Sequence, residues 1–261
     1  MKLLSARRRH PMALVVLLLV GLLLTGGAYA LFTSNSSAKA QEYSSDDVAQ
    51  GQKLFVANCA TCHGMSGQGT ENGPSLVGVG ASSVDFQVGT GRMPLQMSGP
   101  QGQVKKQQFN QDQIDQLAAY VASMGPGPSV PEGDYLDASK GDPAKGGGLF
   151  RTNCAMCHNV VGAGGALTRG KYAPNLQNVS EKHLYEAMQT GPQNMPIFND
   201  ANLTPEQKRD VIAYVRNASE EPSPGGFKLG ALGPVAEGLF IWFFGLAAVI
   251  GITVWLTARS K

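Results

Sequence analysis

Two stretches of this sequence carry one pattern of residues. Residues 51–63 read Gly-Gln-Lys-Leu-Phe-Val-Ala-Asn-Cys-Ala-Thr-Cys-His, and residues 146–158 read Gly-Gly-Gly-Leu-Phe-Arg-Thr-Asn-Cys-Ala-Met-Cys-His. The first glycine, the leucine, the phenylalanine and the asparagine recur at equal spacing, as do both cysteines and the histidine. A match of this length at a constant offset indicates an internal duplication.

Other segments repeat in the same order and set the extent of the duplication. They are Pro74-Ser-Leu76 and Pro174-Asn-Leu176, Arg92-Met93-Pro94 and Asn194-Met195-Pro196, and Leu117-Ala-Ala-Tyr120-Val121 and Val211-Ile-Ala-Tyr214-Val215. Between the two halves, residues 125–131 read Gly-Pro-Gly-Pro-Ser-Val-Pro, a composition typical of a linker. The sequence therefore predicts two related domains over residues 45–124 and 139–218, joined by a linker at 125–138.

Helical patterns dominate both domains, so the predicted fold class is mainly α. Each domain is predicted to contain an opening helix, a long loop and a closing helix. The second domain is predicted to have an extra short helix over residues 180–188. Polar cap residues set the predicted helix starts, which are Ser45, Ser139, Asn110 or Asp112, and Thr204-Pro205. We expect aromatic pairs to join the first and last helix of each domain, namely Phe55 with Tyr120 and Phe150 with Tyr214.

The cysteines of exported proteins usually form disulfides, but the cysteines here follow a different pattern. All 4 belong to a Cys-x-x-Cys-His motif, which is the signature of covalent c-type haem attachment. A zinc ribbon would place its cysteine pairs about 15–20 residues apart and would not require a histidine after each pair. The sequence therefore predicts two covalently bound haem c groups, attached through Cys59, Cys62, Cys154 and Cys157.

Each haem iron needs two axial ligands, and the motif supplies one of them. His63 and His158 are the predicted ligands on one side. Met93 and Met195 occupy corresponding loops before the closing helices, where a Met-Pro pair in a polar loop favours iron ligation over packing. Their rivals are Met97 in the first domain and Met188 in the second, the latter at a helical spacing that indicates core. His183 is an alternative ligand for the second haem, although a lone histidine on a helix face more often lies at the surface.

Histidine and methionine ligation fills both axial positions and raises the haem potential. We therefore expect one-electron transfer without binding of oxygen or substrate at the iron. Pro74 and Pro174 are predicted to place a backbone carbonyl beside the histidine ligands and so to fix their tautomer.

Two uncharged apolar segments flank the predicted domains. Residues 12–32 and 238–256 are each long enough to cross a bilayer as a helix. The first segment is either a retained anchor or a cleaved signal, since small residues at Ala28 and Ala30 could form a cleavage site. Basic residues lie in the terminal segments 1–11 and 257–261, which predicts cytoplasmic ends and an extracytoplasmic body in the plasma membrane.

The charge is distributed unevenly along the chain. Six basic residues lie near the two ends, which leaves 15 basic and 18 acidic residues over positions 33–230, a formal net charge of −3. A nucleic-acid-binding domain carries a basic surface on its folded part. We therefore expect contact with membrane lipid and no nucleic-acid partner.

Each half of the chain, with its Cys-x-x-Cys-His motif and its methionine, resembles a class I cytochrome c domain. Two such domains between an N-terminal apolar segment and a C-terminal membrane helix resemble the dihaem cytochrome c subunit of the actinobacterial cytochrome bc1 complex. The resemblance implies a subunit of a quinol–cytochrome c reductase whose partners are cytochrome b and the Rieske iron–sulfur protein. It also implies electron transfer to a cytochrome aa3 oxidase within a supercomplex, with the chain itself acting as an electron carrier.

Two other functions remain open at this stage. A free-standing, membrane-anchored dihaem cytochrome could serve another dehydrogenase or a cbb3-type oxidase. A dihaem peroxidase or redox sensor would need an open or switchable axial position. The aromatic residues Phe240, Trp242, Phe243 and Phe244 in the C-terminal segment favour packing against other membrane subunits, and so favour the bc1 assignment.

Overall fold

The computed structural model of the protein describes residues 11–33, 43–97, 99–220, 229 and 234–259. Helices dominate these residues, as the sequence predicts. Helix α1 (Pro11–Thr33) belongs to a compact unit of its own, Met1–Glu42, and the chain from Tyr43 to Lys261 forms a second unit. Most of the predicted cytoplasmic segments, residues 1–10 and 260–261, lie outside the described residues.

The first domain contains four helices, α2 (Ser45–Asn58), α3 (Ala60–His63), α4 (Ala81–Gly89) and α5 (Gln111–Ala122). Ser44 caps α2 by accepting a hydrogen bond from the Asp47 amide at 3.0 Å. Asn110 and Gln113 form a reciprocal capping box at the start of α5. The predicted starts of both helices are therefore confirmed to within one residue.

The second domain repeats this arrangement after two short 3₁₀ turns, Gly133–Leu136 and Ala138–Lys140. Its elements are α6 (Pro143–Asn153), α7 (Ala155–His158), the paired strands β1 (Gly165–Ala166) and β2 (Tyr172–Ala173), α8 (Glu181–Thr190) and α9 (Pro205–Glu220). Helix α6 begins later than Ser139 because Asp142 caps it and Pro143 occupies its first position. Thr204 and Gln207 cap α9 reciprocally, as predicted.

Helix α4 is an element that the sequence analysis missed, since the loop of the first domain was expected to contain no helix. It is the counterpart of α8, and it begins after Gly80 without a side-chain cap. Ser82 and Asp85, which look like surface residues in the sequence, are 0% and 1% exposed in the structure. The contact between the two domains buries these polar residues, so the helix lacks the amphipathic pattern that would have revealed it.

The opening and closing helices of each domain cross at a glycine. A Cβ atom on Gly51 of α2 would lie 1.9 Å from the Gln116 carbonyl oxygen of α5, and one on Gly146 of α6 would lie 1.8 Å from the Asp210 carbonyl oxygen of α9. The predicted aromatic pairs lie beside these crossings, with ring centroids 5.2 Å apart for both Phe55–Tyr120 and Phe150–Tyr214. The repeated glycine and phenylalanine therefore belong to one repeated helix crossing.

The C-terminal segment forms a helical rod with a wider turn near its start. It consists of α10 (Pro234–Phe240), a π-helical turn (Ile241–Gly245) and α11 (Leu246–Arg259). Two helical windows, Met12–Tyr29 and Val235–Ala258, have a mean hydropathy of 2.3, which is apolar enough to cross a membrane. The helices contain both predicted apolar segments, 12–32 and 238–256.

Candidate haem sites

Each Cys-x-x-Cys-His motif lies on a tight helical turn that directly follows the opening helix of its domain. Cys59 ends α2 and begins α3, which carries Cys62 and His63, and Cys154 has the same position between α6 and α7. None of the four cysteines, all of which the structure describes, forms a disulfide. Burial and the second thiol of the motif raise the pKa of both Cys59 and Cys154 to about 11.

The chain turns back sharply after each motif, and the backbone of this turn is itself repeated. Positive φ angles occur at three corresponding pairs of positions: Gly64 and Asn159, Gly67 and Gly162, and Gly69 and Gly164. A side chain on Gly69 would lie 2.6 Å from the Ser75 amide nitrogen, and one on Gly164 would lie 2.5 Å from the Ala173 carbonyl oxygen. The turn therefore brings the following proline segment close to the motif histidine.

The histidines are oriented by the carbonyl groups that the sequence analysis predicted. His63 Nδ1 lies 2.8 Å from the Pro74 carbonyl oxygen, and His158 Nδ1 lies 3.0 Å from that of Pro174. A carbonyl can only accept, so Nδ1 carries the proton and the Nε2 lone pair is left for a metal. Burial lowers the pKa of His158, which favours the neutral imidazole that ligation requires.

The predicted methionines pack against the same apolar clusters as the motif cysteines. Met93 and Cys59 border the core cluster of the first domain, and Met195 and Cys154 border that of the second. The Met93 amide donates to the Gln87 carbonyl at 2.9 Å, and the Met195 amide donates to the Pro192 carbonyl at 3.1 Å. In each domain the structure thus brings the methionine and the attachment motif to one core.

The rival ligands occupy different surroundings. Met97 is 80% exposed, whereas Met188 is 4% exposed within the second core cluster, which confirms its predicted packing role. His183 is partly buried, and its ring lies 6.0 Å from the Phe86 ring of the first domain in an edge-to-face arrangement. It therefore faces the contact between the two domains.

The donor set of each domain fits a c-type haem. Two thiols lie on one helical turn, an imidazole is held through Nδ1 by a backbone carbonyl, and a thioether lies on the same apolar core.

The sequence analysis did not predict the hydrogen bonds that join the two domains around the methionine loops. Gln101 accepts from the Tyr172 amide at 2.8 Å and donates to the Tyr172 carbonyl at 2.9 Å. Gln193 accepts from the Gly102 amide at 3.1 Å and donates to the Gly102 carbonyl at 3.2 Å. These two amide pairs join the loop after Met93 to the second domain, close to Met195.

Insertions in the repeat supply part of these contacts. Nine residues lie between Gly164 and Pro174, against four between Gly69 and Pro74. The longer segment forms the β1–β2 hairpin that carries Tyr172. The loop from Met93 to Asn110 is also eight residues longer than that from Met195 to Thr204, and it carries Gln101 and Gly102. Departures from the repeat could have signalled this contact.

Comparison with known proteins finds a cytochrome family match in each half of the chain. The profile of the cytochrome c family matches residues 48–125, and that of the cytochrome c oxidase, cbb3-type, subunit III family matches residues 141–215. These matches, the helical fold and the repeated motif define the class of the protein as a cytochrome c with two tandem domains.

Full-length relatives narrow this class. The cytochrome bc1 complex cytochrome c subunit of Mycobacterium bovis is 46% identical over 261 residues, which cover 97% of this chain and 93% of that protein. The subunit of the same name from Mycobacterium leprae is 46% identical, with 94% and 87% covered. That from Corynebacterium efficiens is 42% identical, with 97% and 90% covered. The chain belongs to the family of cytochrome bc1 complex cytochrome c subunits.

Proposed function

We propose that this chain is the electron-carrying subunit of a membrane quinol–cytochrome c reductase. It accepts electrons from the Rieske iron–sulfur protein and passes them to a terminal oxidase of the cytochrome aa3 type. The observation that carries the proposal is the duplicated turn, in which each motif histidine forms a hydrogen bond with a proline carbonyl. This turn occurs in a chain that is 46% identical to a bc1 complex cytochrome c subunit.

Each domain holds one covalently attached haem c. Cys59 and Cys62 attach the group in the first domain, and Cys154 and Cys157 attach it in the second. His63 with Met93 would hold the iron in the first domain, and His158 with Met195 would hold it in the second. When bound, such a group supplies reversible one-electron exchange at a raised potential.

The contact between the domains supports transfer from one to the other within a single chain. The amide pairs of Gln101 and Gln193 lie beside the methionine loops, and Lys182 Nζ of α8 lies 2.6 Å from Asp85 Oδ2 of α4. Because Asp85 is buried, this ion pair is screened less than a surface pair. The chain thereby keeps its two sites at a constant separation, which a relay without a diffusible carrier requires.

The C-terminal helix supplies the attachment to other membrane subunits. Trp242 and Phe243 are each 70% exposed, and the rings of Phe240 and Phe244 are in tilted contact with their centroids 4.7 Å apart. Two candidate spans support a plasma-membrane location, with the cytochrome domains on the extracytoplasmic side and the two ends in the cytoplasm.

Gentle solubilisation of membranes and isolation of the tagged chain test this function. We expect cytochrome b and the Rieske protein to copurify with the full chain and to be lost when residues 234–261 are removed. A control variant, Tyr135→Phe, changes only an exposed residue of the extracytoplasmic body and should retain both partners. Isolation of the full chain without either protein would overturn the assignment to the bc1 complex.

The second candidate is a free-standing carrier that serves a cbb3-type oxidase. The family match of residues 141–215 and the 35% identity to the CcoP subunit of Azospirillum over 141 residues favour it. That relative matches only 47% of this chain. Copurification of a cbb3-type oxidase in place of cytochrome b would support this candidate.

A further inference from the structure

Three side chains with metal-ligating atoms converge away from the haem sites, where α4 of the first domain meets α8 of the second. They are Asp85, His183 and Glu186, and one ligating atom of each lies within 4.8 Å of the other two. His183 Nε2 lies 3.9 Å from Asp85 Oδ1 and 4.0 Å from Glu186 Oε2. The histidine and the glutamate are three residues apart on α8 and therefore share a helix face.

Glu186 is buried without a hydrogen-bond partner. It is 0% exposed, and neither of its carboxylate oxygens has a hydrogen-bond partner among the residues that the structure describes. A buried carboxylate without a partner is costly, and proteins compensate it with a proton, a counter-ion or a metal. Burial is the largest cause that raises the pKa of Glu186 to about 9; the nearby Asp85 adds to this effect and Lys182 opposes it.

The neighbouring side chains leave the donor atoms available. Lys182 binds Asp85 through Oδ2, so that Oδ1 points toward His183. The last residue of α4 is Gly89, and a Cβ atom there would lie 3.2 Å from His183 Nε2 and 3.6 Å from Asp85 Oδ1. The absence of a side chain at this position keeps space open beside both atoms.

We infer that Asp85, His183 and Glu186 form a site for a divalent transition-metal cation, best fitted by Zn²⁺, that links the two cytochrome domains. The inference goes beyond the proposed electron transfer, since this cation exchanges no electrons with the chain. Its consequence is a crosslink between α4 and α8 that holds the domains together.

The donor set selects the kind of metal. One imidazole and two carboxylates suit Zn²⁺, whereas Ca²⁺ requires six to eight oxygen ligands. In a tetrahedral site with bonds of about 2.0–2.2 Å, ligand atoms lie ~3.4 Å apart. The distances between the three donor atoms, which are 3.9 Å, 4.0 Å and at most 4.8 Å, would therefore shorten by about 0.5 Å to about 1.4 Å. Water occupies the fourth position, and His183, with 24% of its side chain exposed, leaves an entry from solvent.

The test measures zinc in the complex isolated from membranes. The material is treated with a chelator, exposed to Zn²⁺ and washed, and zinc is then quantified by mass spectrometry relative to covalent haem. We expect the wild type to bind one more zinc per chain than either Glu186→Gln or His183→Ala. Zn²⁺ should also raise the unfolding temperature of the wild type and not that of either variant.

Gln189→Ala is the matched control, because Gln189 lies on the same helix and accepts a hydrogen bond from Ser82 across the same contact. This variant should bind as much zinc as the wild type. Equal zinc in the wild type and Glu186→Gln, or no retained zinc in the wild type, would overturn the inference. The measurement requires no turnover, so its failure is distinct from loss of cytochrome b in the copurification experiment.

Discussion

Single backbone groups decide what each motif histidine can do. The Pro74 and Pro174 carbonyls accept hydrogen bonds from Nδ1 of His63 and His158, which leaves the Nε2 lone pair of each ring for a metal. In the proposed assignment, the methionine on the same core is the second ligand of the iron. The following two predictions test this set one residue at a time.

Replacement of either methionine by alanine should leave the haem attached but remove its sulfur ligand. For Met93→Ala and for Met195→Ala we expect unchanged covalent haem, loss of the sulfur-to-iron absorption band and a lower reduction potential. Met97→Ala is the control, because Met97 is 80% exposed and should leave the spectrum unchanged. A spectrum and potential unaltered in both variants would show that the axial assignment is wrong.

Replacement of both cysteines of one motif should remove one haem and leave the other. In the double variant Cys59→Ser with Cys62→Ser, we expect the haem stain per chain to fall by about half, because a thioether cannot form without the thiols. His183→Ala should leave the stain at the wild-type level. Complete loss of stain in the first variant, or reduced stain in the second, would contradict the assignment of separate sites.

At the scale of helices, the repeated glycines explain why the two domains share one architecture. Gly51 and Gly146 let the closing helix approach the opening helix to backbone contact, and Phe55 and Phe150 fill the space beside it. The three consecutive glycines at 146–148 weaken the helical pattern of α6, yet the helix passes through all of them. The crossing requires the first of these glycines.

Alanine at a crossing glycine should destabilise its domain. We expect Gly146→Ala to lower the free energy of unfolding by about 2 kcal/mol or more, because the methyl group would overlap the Asp210 carbonyl. In the same helix, Gly148 has nothing within 4 Å of a Cβ position among the described residues, so Gly148→Ala should be neutral or gain up to about 1 kcal/mol. Chemical denaturation followed by haem absorbance measures both variants, and similar stabilities would contradict the role of the crossing.

Elements with local signals were predictable, and elements shaped by the contact between domains were not. The capped starts at Asn110 and Thr204, the aromatic pairs and the proline carbonyls all follow from short sequence patterns that the structure confirms. Helix α4 could not be predicted, because it has no side-chain cap and its polar residues face another domain rather than water. The cluster around Glu186 was also missed, because it includes Asp85, which lies about a hundred residues away in sequence.

At the scale of the whole molecule, two loops that break the repeat contact each other. The double variant Gln101→Ala with Gln193→Ala removes the hydrogen bonds that the long loop makes with Tyr172 and with Gln193. It should allow the two domains to move relative to each other without changing haem content. Pulsed electron paramagnetic resonance between the two oxidised irons should then give a broader distance distribution. Gln107→Ala, at an exposed position of the same loop, is the control, and an unchanged distribution in the double variant would contradict a fixed separation.

The two insertions make the first and the second domain structurally different from each other. Among the described residues, the two-stranded hairpin that carries Tyr172 lies in the second half, and the long loop that carries Gln101 lies in the first. A chain with its halves exchanged would keep every motif and every helix crossing. The hairpin would then precede the long loop along the chain, and each would lie at a different distance in sequence from the linker and from the membrane segments.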